Sequence, residues 1–161
     1  MSLSPNQRPF EILKVIKATA LAALTGAGGQ GARVSMKNYR KCSVLMPISN
    51  ATTVTGTAVT LKQHDAASSG NTKALAFTQM WSNIDVGANA DNLAVQTVAS
   101  NTFTTDATNS KELLYVIEVD SESLDWANGF GWFSAWGQSA VASTGIILYV
   151  LSEPRYSGAG I

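Results

Sequence analysis

The property that most constrains this chain is how short its apolar runs are. Each β-branched or aromatic stretch covers a few residues and then meets a cluster of Gly, Asn, Asp, Ser or Thr. These residues turn a chain through positive φ or local side-chain hydrogen bonds. The runs fall at 34–39, 43–48, 58–62, 74–81, 93–98, 102–105, 113–119, 130–136 and 145–151, separated by stretches such as SNATTVTG, HDAASSGN, SESLDWANG and GQSAVAST. No strand–helix–strand rhythm interrupts them. The pattern predicts an all-β fold, an antiparallel β-sandwich with a jelly-roll-like body. The two strongest runs, LLYVIEV and GIILYVL, put Leu114, Val116, Ile147, Leu148 and Val150 in strands. With Val116 expected in the core, an Asp there should prevent folding by burying an unpaired charge.

Residues 1–31 have a different character. Residues 1–9 hold two prolines and read as an extended tail. Residues 10–17 (FEILKVIK) read as a strand, and the Ala/Leu-rich residues 18–24 as a short helical turn. GAGGQG at 26–31 follows as a flexible hinge. The expected organisation is an arm and hinge over 1–31 and a β-sandwich body over 32–161. Phe10, Ile12, Leu13, Val15 and Ile16 would leave an apolar patch exposed unless another surface covers them, and Arg8, Lys14 and Lys17 add positive charge. The arm is therefore expected to mediate assembly. Lys14 and Lys17 also break the stretch that could pass for a secretory signal, and no apolar run is long enough to span a bilayer.

Eleven basic and eleven acidic residues give a formal net charge of zero, which argues against a dedicated nucleic-acid binder. The charges are unevenly placed. Residues 1–64 carry eight basic residues and one acid, and residues 65–161 three basic residues and ten acids. Either the halves neutralise each other as neighbouring strands, or the basic segment docks on an acidic body, its own or a copy's.

Chemical motifs fail in context. GAGGQG matches G-x-G-x-x-G, but a strand-like segment follows it and no acid occurs before Asp65, so no dinucleotide cofactor is expected. Glu118, Asp120, Glu122 and Asp125 form the densest acidic cluster; a solvated rim is expected, with a hard-cation site or glycosidase carboxylates as alternatives. His64-Asp65 falls at a strand end beside a Ser-rich loop and reads as a loop histidine, since no G-x-S-x-G supplies a nucleophile. Cys42 follows Arg40 and Lys41, which would lower its pKa, but on a strand it reads as a small buried side chain. One Cys and one His exclude a disulfide and a Cys/His zinc site. Asn50-Ala51-Thr52 fits the glycosylation acceptor pattern. Trp126, Phe130, Trp132, Phe133 and Trp136 crowd together, with Trp132 and Trp136 on one strand face. Such aromatics fill a core and an interface, or bind carbohydrate. No catalysis, cofactor or metal is expected.

Several segments read together carry a resemblance: VSMKNY at 34–39, KALAFT at 73–78, TFTT at 102–105, LYVIEVD at 114–120 with Leu124-Asp125, and LSEPRY at 151–156. In this order and spacing they resemble small virion proteins of tailed bacteriophages, over roughly residues 33–157. GWFSAWGQSAVASTG is more apolar than that pattern. Within the group, a β-rich protein of this size resembles capsid decoration (cement) proteins. The resemblance implies a structural protein on the outer capsid surface, made in the host cytoplasm. It further implies a homo-oligomer, a trimer by family habit, that contacts the major capsid protein and neither nucleic acid nor membrane. Other readings are a head–tail connector, a tail or small surface-fibre component, and a carbohydrate-binding β-sandwich module. The expected interface residues are Arg8, Phe10, Ile12, Leu13, Lys14, Val15, Ile16 and Lys17 of the arm, with Trp132 and Trp136 of the body.

Overall fold

The computed structural model describes residues 13–23, 30–88, 92–138 and 141–155. They form two antiparallel sheets packed face to face, as expected. Sheet A runs β1 (Lys14–Lys17), β13 (Leu148–Pro154), β4 (Tyr39–Thr55), β10 (Glu112–Asp120), β7 (Gln79–Asn83) and β8 (Ala94–Thr97). β12 (Val141–Gly145) lies beside the far half of β4, and β2 (Ala22–Ala23) pairs with β12. Sheet B runs β3 (Val34–Ser35), β11 (Trp132–Gln138), β5 (Ala58–His64) and β6 (Thr72–Ala74), with β9 (Thr102–Thr104) also on β5. Helical structure among the described residues is confined to three short 3-10 turns.

Alternation along the strands builds the core. β4 turns Cys42, Val44, Met46 and Ile48 inward, and β10 turns Leu113, Tyr115, Ile117 and Val119 inward. Opposite them sheet B supplies Val59, Leu61, Phe133 and Ala135. Aromatic rings interlock across the layers: Phe133 with Tyr149 and Phe103 with Tyr115, each at 5.2 Å between centroids. The Tyr149 hydroxyl crosses to sheet B and accepts the Ala135 N–H at 2.8 Å. Gly31 closes the same spot, donating its N–H to the Ala135 carbonyl at 3.0 Å. A Cβ on Gly31 would lie 2.5 Å from that carbonyl oxygen and 2.6 Å from the Tyr149 hydroxyl.

Several segments differ from the sequence expectation. Residues 18–24 were expected as a helical turn. Instead Ala18 and Thr19 are buried, their N–H groups donate to the Ile147 carbonyl, and Ala22–Ala23 is extended. A weak helical preference yields to tertiary hydrogen bonds and burial. The break expected at Arg40 and Lys41, and the loop SNATTVTG, are both strand, because β4 carries the two cations as exposed side chains. Residues 74–81 are not one strand. The chain leaves sheet B after Ala74 and joins sheet A at Gln79, with Leu75 and Phe77 buried in the crossing. Part of GQSAVASTG is β12, not a loop. Of the hinge GAGGQG, Gln30 and Gly31 are described; Gln30 forms an isolated antiparallel bridge with Trp136.

Tyr149→Phe should lower unfolding stability by about 1–3 kcal/mol in urea denaturation, because it strands a buried backbone N–H while removing little apolar area. A change within experimental error would show that Ala135 finds another acceptor.

Candidate assembly surface

If the outer face of sheet A met only water, its outward positions would be polar throughout. Lys41, Ser43, Ser49, Glu112, Glu118 and Asp120 are, but the two rows between them are apolar. The register sets Leu148 beside Leu45, Leu45 beside Val116, Val116 beside Trp81 and Trp81 beside Val95. Lys17 of β1 ends this row next to Leu148. Leu148, Leu45, Val116 and Trp81 are half-buried, and Val95 is 59% exposed. A second row runs through Pro47 and Leu114. With Leu21, Val86 and Ile146 it lines a shallow apolar groove of about 470 Å³. Val15, 56% exposed, pairs with Val150 and carries the apolar surface to the sheet edge. A continuous apolar sheet face of this extent marks an interaction surface more often than a free one.

This placement corrects the expectation for Val116. It faces outward on β10, so an Asp there need not bury a charge in the core. Glu112, Glu118 and Asp120 share the phase of Val116, and that phase is the outward one. Leu114, Val116, Leu148 and Val150 lie in strands as expected; Ile147, 1% exposed, immediately precedes β13.

The expected interface residues scatter over both layers. Arg8, Phe10 and Ile12 lie outside the described residues. Lys14, Val15 and Lys17 are exposed on β1, Leu13 is half-buried, and Ile16 packs against the core. Trp132 and Trp136 are half-buried on the opposite side of the molecule, on the outer face of sheet B. The aromatic crowd therefore forms no single platform. Phe133 points into the core. The Trp126 ring packs over Gly131, where a Cβ would meet it at 2.6 Å, and its indole N–H donates to the Ser121 carbonyl at 2.6 Å. The Lys62 ammonium covers the Trp136 ring at 3.5 Å.

The charged halves interleave. β4, from the basic half, lies between β10 and β13 of the acidic half, and Lys41 meets Glu153 at 3.7 Å. Asp125 is bonded by Lys73 and by Asn128, and those hydrogen bonds hold its carboxyl below the usual range. Glu118 and Asp120 remain exposed at the end of β10, and a 3-10 turn carries Glu122 away from their strand. Among the described residues no three His, Cys, Asp or Glu side chains gather closely enough to hold a metal ion. Cys42 is fully buried, and burial pushes its thiol up to about 12 against an opposing backbone hydrogen bond from Val150, so the expected lowering by Arg40 and Lys41 does not occur. Asn50 is 5% exposed; its amide donates to the Asp106 and Thr108 carbonyls and accepts from Ser143, so its acceptor motif is out of reach.

His64 ends β5, the strand end where the sequence places it, but it is no loop side chain: it is 4% exposed and bonds Thr72 Oγ1 through Nδ1 and Ser134 Oγ through Nε2, both at 2.8 Å. Its outward-facing strand position beside Ser134 was hidden because Thr60, Lys62 and His64 look like a polar solvent face.

No family model matches the chain, and no curated protein matches it. Among solved structures it is similar to the SPBc2 prophage-derived protein YomS, with a TM-score of 0.47 and 14% identity over 87% of this chain and 93% of that one.

Burial first, then the charges of Arg33 and Lys62, hold the His64 imidazole down to about 4, against an opposing pull from Asp65. Between pH 6.5 and 4 the unfolded chain takes up a proton that the folded chain refuses. The stability from this residue is therefore complete above pH 6.5 and is lost as pH falls towards 4, by about 3 kcal/mol at most. Denaturation curves across that window should slope accordingly, and His64→Gln should flatten them; an unchanged slope would mean that other groups carry it.

Proposed function

We propose that the chain is a structural virion protein of a tailed bacteriophage, a capsid decoration protein that binds the outer capsid surface and stabilises the head. The observation that carries this reading is the apolar outer face of sheet A, from Val15 across Leu148, Leu45, Val116 and Trp81 to Val95. A protein whose work is docking needs a broad preformed surface on a rigid support, and here six paired strands hold it. The segment resemblance supplies the setting, with the major capsid protein as partner and a homotrimer as the working unit. Neutral net charge and few charged residues suit close packing among many copies. No catalytic role belongs to this reading, and its site is the virion exterior. A connector or fibre would use the same face, and a copy count per virion separates them: hundreds indicate decoration, about six or twelve a connector.

Val116→Asp should fold, with stability lowered by about 1 kcal/mol, because it sits on an outward position of a central strand. It should bind expanded capsids at least about tenfold more weakly in co-sedimentation, since it places a charge in a desolvated contact. A folded variant with unchanged capsid binding sinks this use of sheet A. Deletion of residues 1–12 tests the arm without removing β1: loss of assembly with the sheet intact supports its role, and full assembly removes it.

A further inference from the structure

The outer face of sheet B holds a recess of about 270 Å³, on the other layer from the apolar face and independent of it. Its lining is Gln30, Arg33, Lys62, His64, Ser134 and Trp136, with Thr72 at the rim. Donors dominate this set. Arg33 and Lys62 are both half-buried, and neither forms an ion pair among the described residues. Arg33 Nη1 donates to the Ala66 and Ser69 carbonyls at 2.9 and 2.8 Å, which fixes the guanidinium. Its Nε and Nη2 hydrogens have no protein partner among the described residues. The Lys62 ammonium lies over the Trp136 ring, a contact that orients the charge without neutralising it. The Trp136 indole N–H is shielded from solvent and, among the described residues, unpartnered. Asp65, next in the chain, does not line the recess; its Oδ2 accepts from the Asn71 amide, and its Oδ1 is buried and unpartnered among the described residues.

Two uncompensated cations drawn partly out of water are costly, and burial lowers the Lys62 pKa accordingly. Neutral His64 holds Ser134 and Thr72 by hydrogen bonds and adds no third charge. The arrangement lacks an acceptor that bears negative charge. We propose that this recess binds a small oxyanion, a phosphate or carboxylate group on a ligand no larger than a sugar, with Arg33 and Lys62 as its charge partners. Guanidinium and ammonium groups meet such oxygens in short charge-assisted hydrogen bonds, and a fixed guanidinium loses little freedom in doing so. A ligand of that size suits a volume just below the usual range for small-molecule pockets.

The test uses the full chain labelled with nitrogen-15, titrated at constant ionic strength with inorganic phosphate and separately with glucuronate. The probe is the Trp136 indole N–H resonance, identified by its loss in Trp136→Phe. A saturable shift with a Kd below about 10 mM, weakened about tenfold or more in Lys62→Gln, supports the proposal. Saturation with phosphate alone assigns a phosphate ligand, and with glucuronate alone a carboxylate; both indicate that the oxyanion itself is recognised. Lys62→Gln leaves the Arg33 contacts to the loop at 66–69 in place, so a folded spectrum is expected. Arg33→Gln gives a second reading, again expected to weaken binding about tenfold. No saturable shift with either anion, or equal affinity in wild type and Lys62→Gln, overturns it.

Discussion

The Ala135 peptide unit is where this fold is pinned together. Its N–H donates to the Tyr149 hydroxyl from the opposite sheet, and its carbonyl accepts from Gly31 in the segment that follows the first strands. One backbone unit thus ties sheet A, sheet B and the N-terminal segment at a point with no room for a Cβ on Gly31. Burial holds the Tyr149 hydroxyl protonated far above its ordinary range, so it remains a neutral hydrogen-bonding group at any working pH. The Phe133–Tyr149 contact lies beside it, and Ile147, which precedes Tyr149, accepts from Ala18 and Thr19. Tyr115 repeats the device farther along the core, its hydroxyl accepting the Asp106 N–H at 2.7 Å.

With the interior fixed in this way, the two outer faces differ in kind. Sheet A turns out two adjacent rows of aliphatic and aromatic side chains flanked by polar ones; sheet B turns out Thr60, Lys62, His64, Ser134 and two tryptophans. Water alone explains neither. An ordinary solvated face would not carry Leu148, Leu45, Val116 and Trp81 in register, nor leave Arg33 and Lys62 half-buried without carboxylates. The first face fits a large apolar partner and the second a small charged one.

The fold class was legible because short β-branched runs and turn clusters are local signals. The phase of LLYVIEV was legible only through its charges: Glu112, Glu118 and Asp120 share the phase of Leu114 and Val116 and mark it as the outward one. SNATTVTG looked like a loop because its residues favour turns, yet β12 pairs along that half of β4, residues 109–111 hydrogen-bond its other edge, and Asn50 is satisfied by a buried network that no local reading contains. The recess on sheet B was invisible for the same reason. Arg33, Lys62, His64 and Ser134 come from three distant segments, and only strand pairing brings them together.

The edges of sheet A explain why its face, not its rim, is suited to carry contacts. β1 puts exposed Lys14 and Lys17 on one rim, and lysines on an edge strand oppose the strand addition that unpaired backbone groups invite. The other rim, β8, reads AVQT, carries no charge and is exposed along its whole length. Val95 of β8 also ends the apolar row, so a partner laid across the face from Leu148 to Val95 would reach that rim as well. If the proposed partner covers that second rim, the surface is guarded by charge at one end and by the contact at the other, and associates broadly without polymerising edge to edge. That combination is what a sandwich of this construction requires if many copies are to sit side by side.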